Sequence, residues 1–334
     1  MYYLVIAIIA YFLEILFGKK YLQWIEKKNF VQPLLDIGPD HAQKQGTPTM
    51  GGISFIFAII VSSIVALIGL TVTGNESNML LILLIVLIAY AYIGYRDDIL
   101  KVTKKDNGEG LSPKQKLIAQ FAVAVVTVIY LVLVHFDMQL SINILDIDIE
   151  VTSTIGLLVY SAIVIFLFMG VSNATNLTDG LDGLLASTYI VSFLAVAVIA
   201  YNQAQVQIVV FAIIVIFSLF GFLKFNSNPA RMFMGDTGSL ALGGLLVITT
   251  ILLHVELMIF FFGFVFLLET LSVIMQVTYF KYTRKKYGEG RRLFKMAPFH
   301  HHLEKEGYSE KRIVFILCTV QIITSIIGLL VYFL

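Results

Sequence analysis

The sequence contains few charged residues and a single cysteine. Of its 334 residues, 13% are Asp, Glu, Lys or Arg, and 58% are hydrophobic. This composition excludes an ordinary soluble domain. Because Cys318 is the sole cysteine, no intramolecular disulfide can form, and we expect a thiol packed among apolar groups. The net charge of +1 identifies no class of partner.

Polar segments, which we call breaks, interrupt the apolar sequence, and one set of these breaks contains no lysine or arginine. These breaks are 73–78, 136–153, 202–207 and 254–256. All 23 lysines and arginines lie in five other stretches, namely 19–44, 96–116, 224–231, 281–295 and 305–312. Under the positive-inside rule, the stretches that contain the cations are cytoplasmic.

Apolar runs long enough to cross a bilayer separate the breaks. We predict ten spans, at about 2–18, 51–72, 79–95, 116–135, 154–172, 183–201, 207–223, 239–253, 257–279 and 313–333. An even number places both termini outside the cell, and the first span, which lacks a cleavage pattern, is an anchor. The prediction is an all-α polytopic membrane protein with one integral membrane domain over 1–334.

One outer break differs from the rest in its pattern. Residues 146–151 alternate strictly between acidic and apolar side chains. This pattern predicts a small extracytoplasmic β-hairpin near 138–152.

Two adjacent acids, Asp97 and Asp98, follow Arg96 at the inner end of the third span. Neighbouring carboxylates repel each other unless they share a proton or a cation. Arg96 and Lys101 would stabilise both as anions. Taken alone, the pair favours the interpretation of two solvated loop acids.

The break between spans five and six, residues 173–183, is cytoplasmic in this topology but contains no Lys or Arg. Its carboxamides and carboxylates are Asn173, Asn176, Asp179 and Asp182, with Gly180 and Leu181 between the acids. Oxygen donors with turn-forming glycines suit Mg²⁺ or the edges of a ligand. The spacing is not that of an EF-hand, and a glycine-rich turn between helices is the alternative.

Two further segments lead into predicted spans. Residues 226–239 include Asn226, Phe233 and Asp236, and residues 44–52 include Lys44 and Thr49. The N-terminus of a helix attracts phosphate or a metal-bound diphosphate, and Lys44 offers a point charge. The second segment lacks the spacing of a Walker P-loop. Simple helix capping explains either segment equally well.

The last inner stretch contains His300, His301 and His302. Three consecutive side chains diverge on a helix or a strand, so we do not expect one zinc ion to bind all three. One or two imidazoles facing a polyanion is the preferred interpretation. Glu269 and Gln276 lie inside the ninth predicted span, and an acid there is a candidate for function. A buried acid bonded to a neighbouring helix is the alternative.

Together, the oxygen donors, the cations and the helix N-termini predict a cytoplasmic site for a diphosphate. Its position at the membrane surface suggests phosphoryl transfer onto a lipid. A transporter is the competing class, and it is favoured by the intramembrane acids Glu14 and Glu269. Transporters place such groups at the bilayer midplane in related halves of the chain, and we find no such repeat. A structural scaffold would not require the convergent polar groups.

The polar segments together strongly resemble the phospho-N-acetylmuramoyl-pentapeptide transferases, within the wider superfamily of polyprenyl-phosphate N-acetylhexosamine-1-phosphate transferases. The resemblance extends from about residue 38 to 330. It implies Mg²⁺-dependent transfer of phospho-MurNAc-pentapeptide from its UDP carrier to undecaprenyl phosphate, releasing UMP. It also implies a homodimer in the bacterial inner membrane with a cytoplasmic active site and no nucleic-acid partner. Transfer of N-acetylglucosamine phosphate is the alternative within the enzyme class.

The resemblance also implies roles for individual residues. Asp236 binds Mg²⁺, with Asn176 as a second contact, while Asp97 and Asp98 form an essential acidic pair. His300, His301 and His302 are similar to histidines of the family's catalytic site. The residues expected to bind substrate are Lys44, Thr49, Lys101, Lys116, Asn173, Asp179, Gly180, Leu181, Asp182, Asn226, Phe233 and Gln276. Among them, five match positions that line the family's uridine (nucleotide) pocket: Gly180, Leu181, Asp182, Asn226 and Phe233. Arg96 departs from the small or apolar residue expected before the acidic pair.

Overall fold

The computed structural model describes residues 2–28, 30, 46–72, 78–104, 110–134, 139–142, 147–151 and 153–334. Ten of the helices in these residues are long and apolar enough to cross a membrane, which confirms the predicted multi-pass helical architecture. The helices are α1 (Tyr2–Lys28), α2 (Gly52–Val72), α3 (Asn78–Lys104), α4 (Pro113–Leu133), α5 (Thr154–Thr178), α6 (Leu184–Asn202), α7 (Val206–Asn226), α8 (Gly235–Leu252), α9 (Ile259–Phe262), α10 (Phe264–Tyr287), α11 (Phe299–Lys305) and α12 (Glu310–Phe333).

Helix α8 lies at the centre of the bundle. Every residue from Thr237 to Leu252 is buried, and α3 and α5 both pack extensively along this helix. Glycine makes the close approach possible, because a Cβ on Gly243 would lie 2.4 Å from the Cα of Ser172. Small residues at such crossings let apolar helices pack tightly in a membrane. The start of α8 is thereby fixed against the ends of α3 and α5.

Helices α3 and α5 are among those that continue beyond the spans predicted from the sequence. Helix α3 extends to Lys104, so the acidic pair lies on its last turns and not in a loop. Helix α5 extends to Thr178 and includes most of the break that we placed between spans. The hydropathy criterion ends a span where polar residues begin, whereas the backbone hydrogen bonds of a helix continue through them. Residues four apart near these ends therefore share one face.

The ninth predicted span is interrupted in the structure. A 3₁₀ turn at Glu256–Met258 and the short α9 precede α10, which continues to Tyr287. Residues 288–298, which we call the return strap, then fold back along α10. Gln276 holds the strap by accepting the main-chain N–H groups of Leu293 and Phe294 and donating to the carbonyl of Phe294.

Two short strands, β1 (Gln139–Ile142) and β2 (Ile147–Glu150), pair antiparallel. In this register Gln139 lies opposite Glu150, and Ile142 lies opposite Ile147. The strands fall within the residues for which we predicted a hairpin. Their position outside the cell and that of both termini stay predictions.

Candidate active site

The carboxylate of Asp98 caps the N-terminus of α8. Its Oδ1 accepts the main-chain N–H of Asp236 at 3.0 Å, and its Oδ2 accepts the N–H and the hydroxyl of Thr237 at 2.8 and 2.6 Å. The first N–H groups of a helix have no partner within the helix, so an acid at this position satisfies them. Asp98 is 1% exposed. Its two oxygens are thus used to hold the first turn of α8.

Asp97 and Asp236 share two lysines. Lys101 Nζ lies 2.6 Å from Asp97 Oδ2 and 3.2 Å from Asp236 Oδ2. Lys116 Nζ lies 3.1 and 2.5 Å from the same two oxygens. Asp97 Oδ1 also accepts the main-chain N–H of Leu111 at 2.7 Å. Charged pairs with such short contacts are strong where water is largely excluded, and here they join the ends of α3, α4 and α8.

Asn176 and Asp179 approach the start of α8 from α5. The amide nitrogen of Asn176 donates to Asp236 Oδ1 at 2.7 Å and to Ser239 Oγ at 2.9 Å. Asn176 therefore positions Asp236 in this arrangement through its nitrogen. Asp179 Oδ2 accepts the N–H of Gly235 at 3.2 Å. Burial, together with the negative charge of Asp236, raises the pKa of Asp179 well above its ordinary value.

Two glycines allow the backbones to meet at this point. A Cβ on Gly94 of α3 would lie 2.1 Å from the carbonyl oxygen of Asp236. Gly235 has a φ of +75°, a conformation that side chains disfavour, and a Cβ there would lie 2.7 Å from Asp98 Oδ2. The spacing of the acidic cluster depends on the absence of side-chain carbon at both positions.

The two segments that we predicted to begin spans are bonded to each other. Phe233 N–H donates to the carbonyl of Pro48, and Gly51 N–H donates to the carbonyl of Phe233, both at 2.8 Å. Thr49 is buried in this contact, with its Oγ1 3.0 Å from the position that a Cβ on Gly235 would occupy. Lys44 lies outside the described residues. The structure therefore brings Thr49 and Phe233 to the acidic cluster.

A second polar network surrounds the turn after α5. Asp182 Oδ2 accepts the Ala230 N–H at 2.9 Å and the Asn228 amide at 3.1 Å. Asn226 Oδ1 accepts the Gly183 N–H at 3.1 Å. Leu181 is buried in an apolar cluster with residues of α6, α10 and α12. The residues of 173–183 and of 226–239 that we predicted to line the nucleotide pocket thus form one connected unit.

The three histidines diverge, as predicted. His300 is buried against Glu269, with 3.2 Å between His300 Nδ1 and Glu269 Oε2. His301 Nδ1 lies 2.6 Å from Glu304 Oε2. His302 accepts the main-chain N–H of Lys295 at 3.3 Å through Nδ1. Each imidazole has its own surroundings, so the three do not form one ligand set.

Two predicted substrate residues are engaged in internal hydrogen bonds. Asn173 donates to Gln120 Oε1 at 2.9 Å and to the carbonyl of Met169 at 2.7 Å. The side chain of Gln276 holds the return strap. Neither of these sets of hydrogen bonds includes a residue of the acidic cluster. Contact of Asn173 and Gln276 with the substrate stays a prediction.

Several residues of these networks were missed in the sequence. Glu310, the first residue of α12, accepts the Asp182 N–H at 2.6 Å and the Asn228 amide at 2.8 Å. In a sequence, an acid in the first turn of a helix is usually interpreted as a partner of the helix dipole. That interpretation does not predict hydrogen bonds to a distant segment of the same chain. Lys101, by contrast, was among the predicted residues, and its spacing of four residues from Asp97 is the usual signal of a pair on one helix face.

The acidic cluster fits a hard divalent cation. One carboxylate oxygen from each of Asp97, Asp98 and Asp236 lies within 4.8 Å of the others. Asp97 Oδ2 is buried and faces the same two ammonium groups as Asp236 Oδ2. Three carboxylates facing two lysines leave a negative balance even before Asp179 is counted. Oxygen donors with excess negative charge are what Mg²⁺ prefers.

Known relatives match this chain over nearly its whole length. Residues 79–254 match the family model described as Glycosyl transferase family 4, and residues 44–56 match a model described as phospho-N-acetylmuramoyl-pentapeptide-transferase signature 1. A phospho-N-acetylmuramoyl-pentapeptide-transferase of Staphylococcus saprophyticus is 44% identical over 326 residues, 97% of each chain. One of Bacillus licheniformis is 41% identical over 324 residues, 96% of this chain and 95% of the relative. The chain therefore belongs to the phospho-N-acetylmuramoyl-pentapeptide-transferase family of membrane enzymes.

Proposed function

We propose that this protein transfers phospho-N-acetylmuramoyl-pentapeptide from UDP to undecaprenyl phosphate, forming the lipid-linked diphosphate (lipid I) and UMP. The cluster of Asp97, Asp98 and Asp236 beside Lys101 and Lys116 carries the proposal, because it suits a diphosphate and its metal. The names of the relatives support the choice of sugar. The distribution of Lys and Arg supports a cytoplasmic site in the bacterial inner membrane. A homodimer rests on the resemblance alone.

Mg²⁺ is the proposed cofactor, and Asp97 and Asp236 are the residues that would hold it. Asn176 fixes Asp236 through its amide nitrogen, and Asp98 fixes the backbone from which Asp236 projects. When bound, the ion offsets the negative charge of the diphosphate and of the departing UMP. Both lysines remain close enough to contact phosphate oxygens of a substrate that enters beside them.

The proposed chemistry is a single displacement at phosphorus. A phosphate oxygen of the lipid attacks the β-phosphorus of the UDP-sugar. The bond from that phosphorus to the bridging oxygen breaks, and its electron pair leaves on UMP. Two unit negative charges 4 Å apart repel by about 4 kcal/mol at an effective dielectric near 20. Lys101 and Lys116 lower that repulsion by placing two ammonium groups at the point of transfer.

Asp97 and Asp98 position other groups in this proposal and do not act as general bases. The second pKa of a phosphate monoester is about 6, so the attacking phosphate is already mostly dianionic at pH 7. Both Asp98 oxygens accept hydrogen bonds from α8, and Asp97 binds the two lysines. Asp97→Asn and Asp98→Asn should therefore lose activity equally at all pH values. Partial recovery at high pH would support a base, and a trapped aspartyl-phosphate would overturn direct attack.

Release of UMP by the purified protein in liposomes tests the function itself. Paired reactions contain UDP-MurNAc-pentapeptide or UDP-N-acetylglucosamine, each with undecaprenyl phosphate and Mg²⁺. We expect UMP from the first substrate, and UMP from the second alone would assign the alternative sugar. Uptake of the intact UDP-sugar without UMP would indicate transport. The intramembrane acids no longer favour transport, since Glu269 bonds α11 and Glu14 accepts the hydroxyl of Ser54.

A further inference from the structure

Glu269 and His300 form a buried polar pair away from the acidic cluster. Glu269 is 0% and His300 1% exposed. Glu269 Oε2 accepts the main-chain N–H of His300 at 3.2 Å and lies 3.2 Å from Nδ1 of the same residue. One carboxylate oxygen of α10 thus contacts both the first turn of α11 and the Nδ1 edge of the imidazole ring. Burying a carboxylate is unfavourable unless a partner compensates, and within the part of the chain that the structure describes the partner is His300.

The other side of the His300 ring lies against Gly180. A Cβ on Gly180 would be 2.2 Å from His300 Nε2 and 2.6 Å from Cε1. The φ of Gly180 is not in the left-handed region, so its glycine is required by this contact and not by backbone conformation. Both ring nitrogens are buried and make no hydrogen bond to the described residues. The ring therefore packs against the turn that begins at Gly180.

That turn leads directly into the proposed nucleotide pocket. Leu181 next along the chain is buried among residues of α10 and α12. The Asp182 carboxylate then holds Asn228 and Ala230 of the segment that leads to α8. A shift of the His300 ring would move Gly180, and with it the residues that follow. Displacements of about 1 Å at a binding site are enough to change turnover or affinity severely.

We propose that Glu269 is a positioning residue for nucleotide binding, which acts by holding His300 against Gly180. The inference rests on the proposed function and on the uridine pocket that the family resemblance implies, which includes Gly180. It gives the intramembrane acid of α10 a role in the reaction without contact to substrate. It also makes His300 part of the support of the pocket, since its ring is buried. Supporting residues of this kind keep a site in its productive geometry.

The first test compares Glu269→Gln with Glu14→Gln. The two wild-type side chains are both fully buried acids in membrane helices, and the glutamine is close in size to each. We expect Glu269→Gln to raise the KM for the UDP-sugar about tenfold while kcat changes less than threefold. Glu14, which bonds Ser54 between α1 and α2, should leave KM unchanged when replaced. Wild-type KM in Glu269→Gln, or an equal rise in Glu14→Gln, would overturn the proposal.

The second test uses the contact between ring and glycine and needs no change at Glu269. Gly180→Ala should raise KM, because the new methyl group meets the His300 ring. Adding His300→Ala removes the ring, so the double variant should bind the UDP-sugar at least threefold better than the product of the single effects predicts. Gly170→Ala is the matched control, since a Cβ there meets nothing within 4 Å. Strictly multiplicative effects would refute the packing role.

The outcomes separate this inference from the proposed function. If the wild-type protein releases no UMP from UDP-MurNAc-pentapeptide, the function is wrong whatever the variants do. If the wild-type is active and the variants behave as the controls do, the positioning role alone is wrong. Thermal unfolding of each variant in detergent shows whether loss of fold explains a change. Where a variant unfolds at a lower temperature than the wild-type, the comparison of Gly180→Ala, His300→Ala and the double variant decides whether the positioning role holds.

Discussion

The Asp98 carboxylate accepts the main-chain N–H of Asp236, with 3.0 Å between Oδ1 and the amide nitrogen. The end of α3 thereby sets the position of the proposed metal ligand at the start of α8. Adjacent acids in the sequence consequently have different tasks, since Asp97 contacts the lysines and Asp98 holds a helix. The geometry of the site depends on this link between two helices that are far apart in the chain.

Replacing Asp98 by Asn should reduce both activity and stability. The amide offers one acceptor where the carboxylate offers two, and its NH₂ faces main-chain N–H groups. We expect activity to fall at least a hundredfold and the free energy of unfolding to fall by about 1–3 kcal/mol. UMP release and thermal unfolding in detergent measure the two effects. Asp236→Asn, which can keep the contact with Asn176, should lose activity with a smaller change in stability, and equal losses of stability would contradict the capping role.

Removing either shared lysine should slow transfer without abolishing it. Lys101 and Lys116 contact the same oxygens of Asp97 and Asp236, so each single variant retains one ammonium group. We expect Lys101→Ala and Lys116→Ala each to lower kcat/KM by about 10²-fold, and the double variant to be much less active. Lys114→Ala is the control, because Lys114 is exposed on the same helix as Lys116. Activity equal to the control would show that the lysines do not take part.

Gly94→Ala should damage the site by separating α3 from α8. The added Cβ would lie 2.1 Å from the carbonyl oxygen of Asp236, and this backbone has no flexible end that can yield. We expect a loss of activity above a hundredfold and a lower unfolding temperature. Gly170→Ala, which introduces the same methyl group into open space, should behave as wild-type. An active Gly94→Ala variant would mean that the two helices tolerate separation.

Glu256, between α8 and α9, should make stability depend on pH. Burial raises the pKa of Glu256 from its ordinary 4.5 to about 7, although the hydrogen bond from Tyr160 opposes the shift. Between these values the folded protein keeps a proton that the unfolded chain has lost. The stability contribution is therefore complete below about pH 4.5, falls as the pH rises towards 7, and is lost above it.

Thermal unfolding across pH 4.5 to 8 measures this contribution. Glu256→Gln keeps an acceptor for the Tyr160 hydroxyl but cannot ionise, so its unfolding temperature should fall less with rising pH than that of the wild-type. Parallel curves for the two proteins would show that Glu256 does not titrate in this range.

The sequence was sufficient for the ten-span helical architecture because long apolar runs are strong signals. It also singled out Asp97 and Asp98, although it ended the third span at residue 95, before both of them. That error arose because hydropathy does not distinguish a polar helix end from a polar loop. The helical continuation of α3 is what places Lys101 one turn from Asp97.

Contacts between distant segments were beyond the reach of sequence patterns. Nothing in residues 44–52 indicates that Pro48 and Gly51 pair with Phe233. The role of Glu310 in holding Asp182 also depends on how α12 packs. For Glu269, the alternative interpretation of a buried acid bonded to another element is the one that the structure supports. Such pairings follow from tertiary packing, which local periodicity does not encode.

Release of UMP from UDP-MurNAc-pentapeptide, with and without Mg²⁺, tests the central proposal most directly. The reaction uses wild-type protein and Asp236→Asn in liposomes that contain undecaprenyl phosphate. We expect wild-type activity that EDTA abolishes and added Mg²⁺ restores, and little activity from Asp236→Asn at any Mg²⁺ concentration. UMP release by the wild-type that persists in EDTA, or an Asp236→Asn variant as active as the wild-type, would contradict the metal-bound diphosphate site at the start of α8.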